Sequence, residues 1–200
     1  EEYGVKMVMN TEVTPAMVAE AKPDAVIVAT GSNPLVLPIP GINDTGVIHA
    51  GDLLDGKASV GKKVLVVGGG MVGCEVADFL GELGHEVSVI ELRDQLGPDV
   101  IPEHRKFLMK DFEAYKVQGV TGAKVAQFFT DGVSYTLADG TEGRLEGFDN
   151  VVLAMGYRNN DTISEEIKKI VAETYVIGDA VKARKALDAT AEGLNAALEI

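Results

Sequence analysis

An apolar run, Val64-Leu65-Val66-Val67, breaks on Gly68-Gly69-Gly70 and resumes beyond Gly73 with helical spacing at Val76, Ala77, Phe79, Leu80 and Leu83. A strand that turns into a helix through Gly-x-Gly-x-x-Gly is a dinucleotide-binding turn. Gly68 permits the tight exit from the strand, Gly70 lets backbone approach a pyrophosphate, and Gly73 lets the helix pack closely on the strand. Met71 and Val72 open that helix, whose unpaired N–H groups and partial positive charge bind an anion without lysine or arginine. The same glycines also fit an ordinary strand-to-helix turn. What sharpens the reading is a second strand, Glu86-Val87-Ser88-Val89-Ile90, closing on Glu91. A carboxylate there accepts hydrogen bonds from the adenosine ribose and repels a 2′-phosphate, so NADH is expected over NADPH.

The chain has a formal net charge of −13, and its Lys and Arg are not clustered. Nucleic acid and anionic membrane surfaces are therefore poor partners, because both need concentrated positive charge. With 46% apolar residues the chain can fill a core. Apolar stretches fall short of the ~20 residues a membrane span needs, and no signal peptide is recognisable. Cys74 is the sole cysteine, which excludes a disulfide framework. A reducing, cytoplasmic setting is expected. Cys74 reads as a small residue packed between helix and sheet, and His49, His85 and His104 are too scattered for a metal site.

Before the glycine turn, Val5 to Asn10 reads as a strand, and Thr14-Pro15 as the cap and first residue of a short helix ending at Ala21. Asp24 to Gly31 reads as a strand buried on both faces, followed by a turn at Ser32-Asn33-Pro34. After the turn unit, Pro102 to about Tyr115 reads as a helix with Phe107, Leu108 and Phe112 inward. The period then changes to two. Residues 124–129, 132–137 and 142–146, punctuated by Asp131-Gly132 and Asp139-Gly140, predict an antiparallel meander. Asp149 to Gly156 repeats the pattern of Asp24 to Gly31, each an apolar strand ending in Ala-x-Gly. A last short strand stops on Gly178-Asp179, and an Ala/Leu-rich helix follows from Leu187.

In this order, Ala29-Thr30-Gly31, Gly68/Gly70/Gly73, the meander, Ala154-Met155-Gly156 and Gly178-Asp179 resemble the two-dinucleotide-binding flavoprotein reductases. Residues 24–200, including Tyr175-Val176-Ile177-Gly178-Asp179-Ala180-Val181-Lys182-Ala183-Arg184-Lys185, most resemble the C-terminal FAD/NAD(P)-binding region of NADH:flavin oxidoreductases of the 2,4-dienoyl-CoA reductase and enoate reductase type. The resemblance implies an α/β fold: a Rossmann-like three-layer dinucleotide-binding domain with an antiparallel β-meander, inserted into a partial FAD-binding domain. Residues 46–154 are assigned to NAD, and residues 1–45 with 155–200 to the flavin domain.

The implied function is the NADH-binding portion of an NADH-dependent flavin oxidoreductase, which in the intact parent passes a hydride from NADH to FAD. No glycine loop precedes Ala29, so the chain reads as a fragment that lacks the FAD pyrophosphate segment, binds FAD weakly and is inactive alone. An N-terminal barrel carrying FMN, a four-iron cluster and the substrate site is implied in the parent. Two alternatives stay open: a non-catalytic ADP-binding scaffold, as in trimethylamine dehydrogenase relatives, and a ferredoxin or rubredoxin reductase fragment. By resemblance Gly178 and Asp179 touch FAD, and Ala29, Thr30 and Gly31 border it. Glu75 lies either near the nicotinamide or on an exposed helix face. Arg93 either flanks the adenine or pairs with Asp94, and Gly156 either lets backbone meet the nicotinamide half or merely ends a strand.

Overall fold

The computed structural model describes residues 3–43 and 46–200. Along the chain run α1 (Pro15–Ala21), β1 (Ala25–Val28), β2 (Ser32–Pro34), β3 (Ile48–His49), α2 (Ala50–Leu54), β4 (Lys63–Val67), α3 (Met71–Glu82), β5 (Glu86–Ile90) and α4 (Pro102–Tyr115). Then follow β6 (Gln118–Val120), β7 (Ala123–Phe129), β8 (Gly132–Leu137), β9 (Glu142–Leu145), β10 (Asn150–Leu153), β11 (Tyr157–Asn159), α5 (Ser164–Ile167), β12 (Glu173–Val176) and α6 (Ala186–Glu199). Two compact units result. One is the continuous stretch Pro34–Gly156, and the other joins Glu1–Asn33 to Tyr157–Ile200.

The Pro34–Gly156 unit is built on a parallel sheet of order β3-β10-β4-β5-β6. Its central strand β4 is apolar at every position from Val64 to Val67, and all four are buried. Both faces must therefore be covered, as in α/β proteins generally. Because side chains alternate along a strand, Val64 and Val66 join a core with Val76, Ala77 and Leu80 of α3 and Phe112 of α4. Leu65 and Val67 point the other way, into a core with Phe128 and Val133 of the meander. The meander is the antiparallel sheet β7-β8-β9, with a bulge between Val125 and Gln127. Helices, parallel sheet and meander make the three layers expected, with α4 spanning the residues its proline start predicts.

In the other unit, β1 pairs in parallel with β12, and Val18, Val28, Ile167 and Val171 form a small core. Thr14 caps α1 through its side chain, which accepts from Met17 N at 3.3 Å.

Several expectations are corrected. Val5 to Asn10 forms no strand, and Val5, Met7, Val8 and Met9 are exposed, because among the described residues no strand lies alongside to pair with their backbone. Ser32-Asn33-Pro34 is strand rather than turn, since pairing with β11 overrides its local turn chemistry. β1 is not covered on both faces among the described residues: Ile27 is 40% exposed. Phe79, Leu83 and Phe107 are exposed rather than inward, because the buried stripe of each helix is narrower than its apolar pattern. Among the described residues, no helix is long and apolar enough to cross a membrane.

Candidate functional site

The chain leaves β4 through Gly68, whose φ of +105° is open to glycine alone among the common residues. A Cβ on Gly68 would lie 2.3 Å from Ala154 O, so this glycine is demanded both by its dihedral and by the closeness of the chain beyond β10. Gly73 sits one turn into α3, where a Cβ would lie 1.8 Å from Gly68 O. The helix therefore packs against the end of the strand with backbone touching backbone. Gly70, the N-cap of α3, has ordinary extended dihedrals, and the atoms nearest its Cβ position are the ends of the Arg93 and Asp99 side chains.

Gly69, which the glycine pattern leaves unassigned, is constrained too, by side chains rather than by backbone. A Cβ there would meet Leu96 Cδ2 at 2.5 Å and Glu91 Cβ at 2.9 Å. Its carbonyl accepts from Gly97 N at 2.7 Å, and its N–H donates to Glu91 Oε2. The sequence signal was present in the middle glycine of the three, but the reason for it lies in the later 91–97 segment.

A cavity of about 420 Å³ opens over this turn. Its floor is Gly68, Gly70, Met71 and Val72; Glu91, Arg93 and Asp99 form one wall, and Ala154, Met155 and Gly156 border the end of β10. Among the described residues the N–H groups of Gly70 and Val72 have no protein acceptor. Unpaired amides at a helix start, facing a cavity, are an anion-binding arrangement.

Glu91 is buried, at 6% exposure. Besides the Gly69 bond, its Oε1 accepts from Arg93 N and Arg93 Nε, each at 2.9 Å. A carboxylate has about four acceptor positions, so three engaged donors leave one on Oε2 for a ligand. Arg93 pairs with Glu91 and lies 3.9 Å from Asp99 Oδ1, not against Asp94 as one expectation had it. Adjacent strand-end residues point apart, whereas residues two apart share a side.

Of the other candidates, Glu75 is exposed on α3 and does not line the cavity. Ala29, Thr30 and Gly31 belong to the other unit, where Thr30 Oγ1 donates to Asn160 O and Asn160 N donates to Gly31 O at 2.9 Å. There too, Gly178 N donates to Glu192 Oε2 at 2.7 Å, and Asp179 accepts from Ser32 Oγ and Arg184 N, each at 3.0 Å. Among the described residues, no three His, Cys, Asp or Glu side chains gather as a metal site.

Cys74 is fully buried, and its thiol donates to Gly69 O at 3.3 Å. Burial pushes its pKa up to about 11, with Asp99 adding to the effect. The thiolate that reacts with disulfides and alkylating agents is thus scarce at neutral pH. Treated with an aromatic disulfide reagent at pH 8, the folded chain is expected to release no thiol within minutes and the denatured chain one equivalent. Rapid labelling of the folded chain would contradict this placement.

Residues 2–192 match the family described as pyridine nucleotide-disulphide oxidoreductase. The chain is 34% identical over 207 residues to an NADH oxidase of Thermoanaerobacter brockii, an alignment covering 98% of this chain and 31% of that protein. It is 29% identical over 231 residues to a metal reductase of Desulforamulus reducens, covering 99% of this chain and 34% of that protein. Among solved structures, a 2-naphthoyl-CoA reductase in complex with 2-naphthoyl-CoA superposes with a TM-score of 0.90 at 30% identity, covering 100% of this chain and 30% of the other. The chain thus spans about a third of the length of these relatives.

Proposed function

The chain belongs to the pyridine nucleotide-disulphide oxidoreductase family, and from that premise we propose that the cavity over Gly68–Gly73 is an NADH seat serving an NADH-dependent flavin oxidoreductase. The observation that carries the reading is the pair of unpartnered amides, Gly70 and Val72, at the start of α3 beneath a cavity whose wall holds the buried Glu91. The amides suit a pyrophosphate, and the remaining acceptor on Glu91 Oε2 suits a ribose hydroxyl. Ala154 to Gly156, on the cavity border, then lie along the path of the rest of the dinucleotide.

FAD, when held by the parent protein, supplies the two-electron acceptor for the hydride. This chain's contribution is to orient NADH, for which no acid–base group is needed. The residues it offers to a flavin are Ala29, Thr30, Gly31, Gly178 and Asp179, with Asp179 keeping a spare acceptor position on each oxygen after its bonds to Ser32 and Arg184. A parent with a further substrate-bearing portion agrees with relatives some three times longer than this chain.

Calorimetric titration tests the reading. NADH is expected to bind at least about tenfold more tightly than NADPH, a difference of ~1.4 kcal/mol from the buried carboxylate facing a 2′-phosphate. Glu91→Gln is expected to narrow that preference. Because the amide NH2 cannot accept, the change also leaves Gly69 or Arg93 short of an acceptor and costs about 1–3 kcal/mol of stability. Equal binding of the two cofactors by the unaltered chain would remove Glu91 from this role.

A further inference from the structure

The proposed pyrophosphate seat already faces an anion belonging to the protein. Met71 is the first residue of α3, and its N–H donates to Asp99 Oδ1 at 3.0 Å, the bond a phosphate oxygen takes at a helix N-terminus. The same carboxylate oxygen is 3.9 Å from Arg93 Nη2. A Cβ placed on Gly70 would lie 3.1 Å from Arg93 Nη2 and 3.4 Å from Asp99 Oδ2. Two opposite charges therefore reach over the one glycine whose bareness admits a pyrophosphate.

They are held very differently. Arg93 is fixed by Nε and its own backbone N to the buried Glu91. Asp99 is half exposed, and its only hydrogen bond among the described residues is the one to Met71. An exposed carboxylate with one such bond swings away at small cost. The Met71 N–H has a single proton to donate, so carboxylate and phosphate compete for it, and two anions about 4 Å apart repel.

We propose that Asp99 is an internal competitor for the pyrophosphate, a carboxylate that caps α3 and screens Arg93 until a phosphate displaces it. It thereby sets the affinity for every ligand that carries a diphosphate and leaves phosphate-free ligands unaffected. The inference rests on the dinucleotide reading of the cavity, and it concerns a residue that the glycine pattern does not assign.

The test is calorimetric titration of the unaltered chain, Asp99→Asn and Asp99→Ala with NADH, ADP and adenosine at low ionic strength, with thermal melts to establish folding. Asp99→Ala is expected to bind NADH and ADP about fivefold more tightly, with the gain shrinking as salt is added. Asp99→Asn falls between, because its amide oxygen still accepts from Met71 but carries no charge. Adenosine binding stays as it was. Should the Ala variant fail to fold, the Asn variant decides alone, any significant gain for ADP without one for adenosine supporting the proposal. NADH binding that is unchanged or weaker in the variants overturns the role of Asp99 while leaving the NADH seat standing, as does an adenosine gain equal to that for ADP. If no chain binds any of the three ligands, the dinucleotide reading fails and the competitor falls with it.

Discussion

Gly73→Ala is expected to lower stability by about 3 kcal/mol or more, although Gly→Ala inside a helix ordinarily gains up to ~1 kcal/mol. The clash outweighs the propensity. The new Cβ would sit 1.8 Å from Gly68 O, 2.9 Å from Gly68 C and 3.2 Å from the Ala154 side chain. Relief requires a backbone displacement of more than an ångström, and both directions are blocked. Gly68 cannot retreat, because its own Cβ position is 2.3 Å from Ala154 O. If α3 lifts instead, it withdraws Cys74, Val76, Ala77 and Leu80 from the sheet, all of them at 0–1% exposure. Close-packed interiors do not absorb such movements cheaply. Thermal unfolding reads the outcome: for a chain of this size the loss corresponds to roughly 10 °C in Tm. A Tm within 2 °C of the unaltered chain would show that the strand-to-helix packing is looser than described. Gly70→Ala is the control, since the atoms nearest its Cβ are side-chain ends, Arg93 Nη2 at 3.1 Å and Asp99 Oδ2 at 3.4 Å, rather than backbone.

How much of this was legible in the sequence follows from the range of each constraint. The strand, glycine turn and α3 could be read because their sterics act within a few residues, and the meander because a period of two survives over each short strand. The start of α4 could be read because, within a helix, Pro102 fits only the first turn. Glu91 was legible by its place at the end of β5, but not its bonds: Gly69 N and Arg93 engage three of its four acceptor positions. Asp99 was not legible at all. Its contact with Met71 is set by the path of the 92–101 segment, which carries no periodicity and is pinned by Gly97 N to Gly69 O and Gly122 N to Arg93 O. Val5 to Asn10 misled for the converse reason: a short apolar-rich run forms a strand only if another strand lies alongside to pair with it, and none does among the described residues.

Gly70→Val is expected to abolish dinucleotide binding while leaving the fold intact, with affinity for NADH falling at least about 100-fold, or ~2.7 kcal/mol. The dihedrals at Gly70, φ −72° and ψ −171°, are open to a β-branched residue, so no backbone strain opposes the change. As an N-cap, valine is poorer than glycine by about 0.5–1 kcal/mol, a small cost beside a whole-domain stability. The side chain itself points over the start of α3, where its methyl groups displace Arg93 and Asp99 outward and fill the approach to the amides of Gly70 and Val72. A pyrophosphate oxygen needs to come within about 3 Å of those amides, and a valine methyl there prevents it. Gly70→Val and Gly73→Ala therefore separate two jobs that one motif performs: Gly73 is required for the fold whether or not a ligand exists, and Gly70 only for the ligand. Retention of NADH affinity within threefold in a folded Gly70→Val chain would place the cofactor elsewhere, because Gly70 lines the cavity beside Met71 and Val72 at the helix N-terminus.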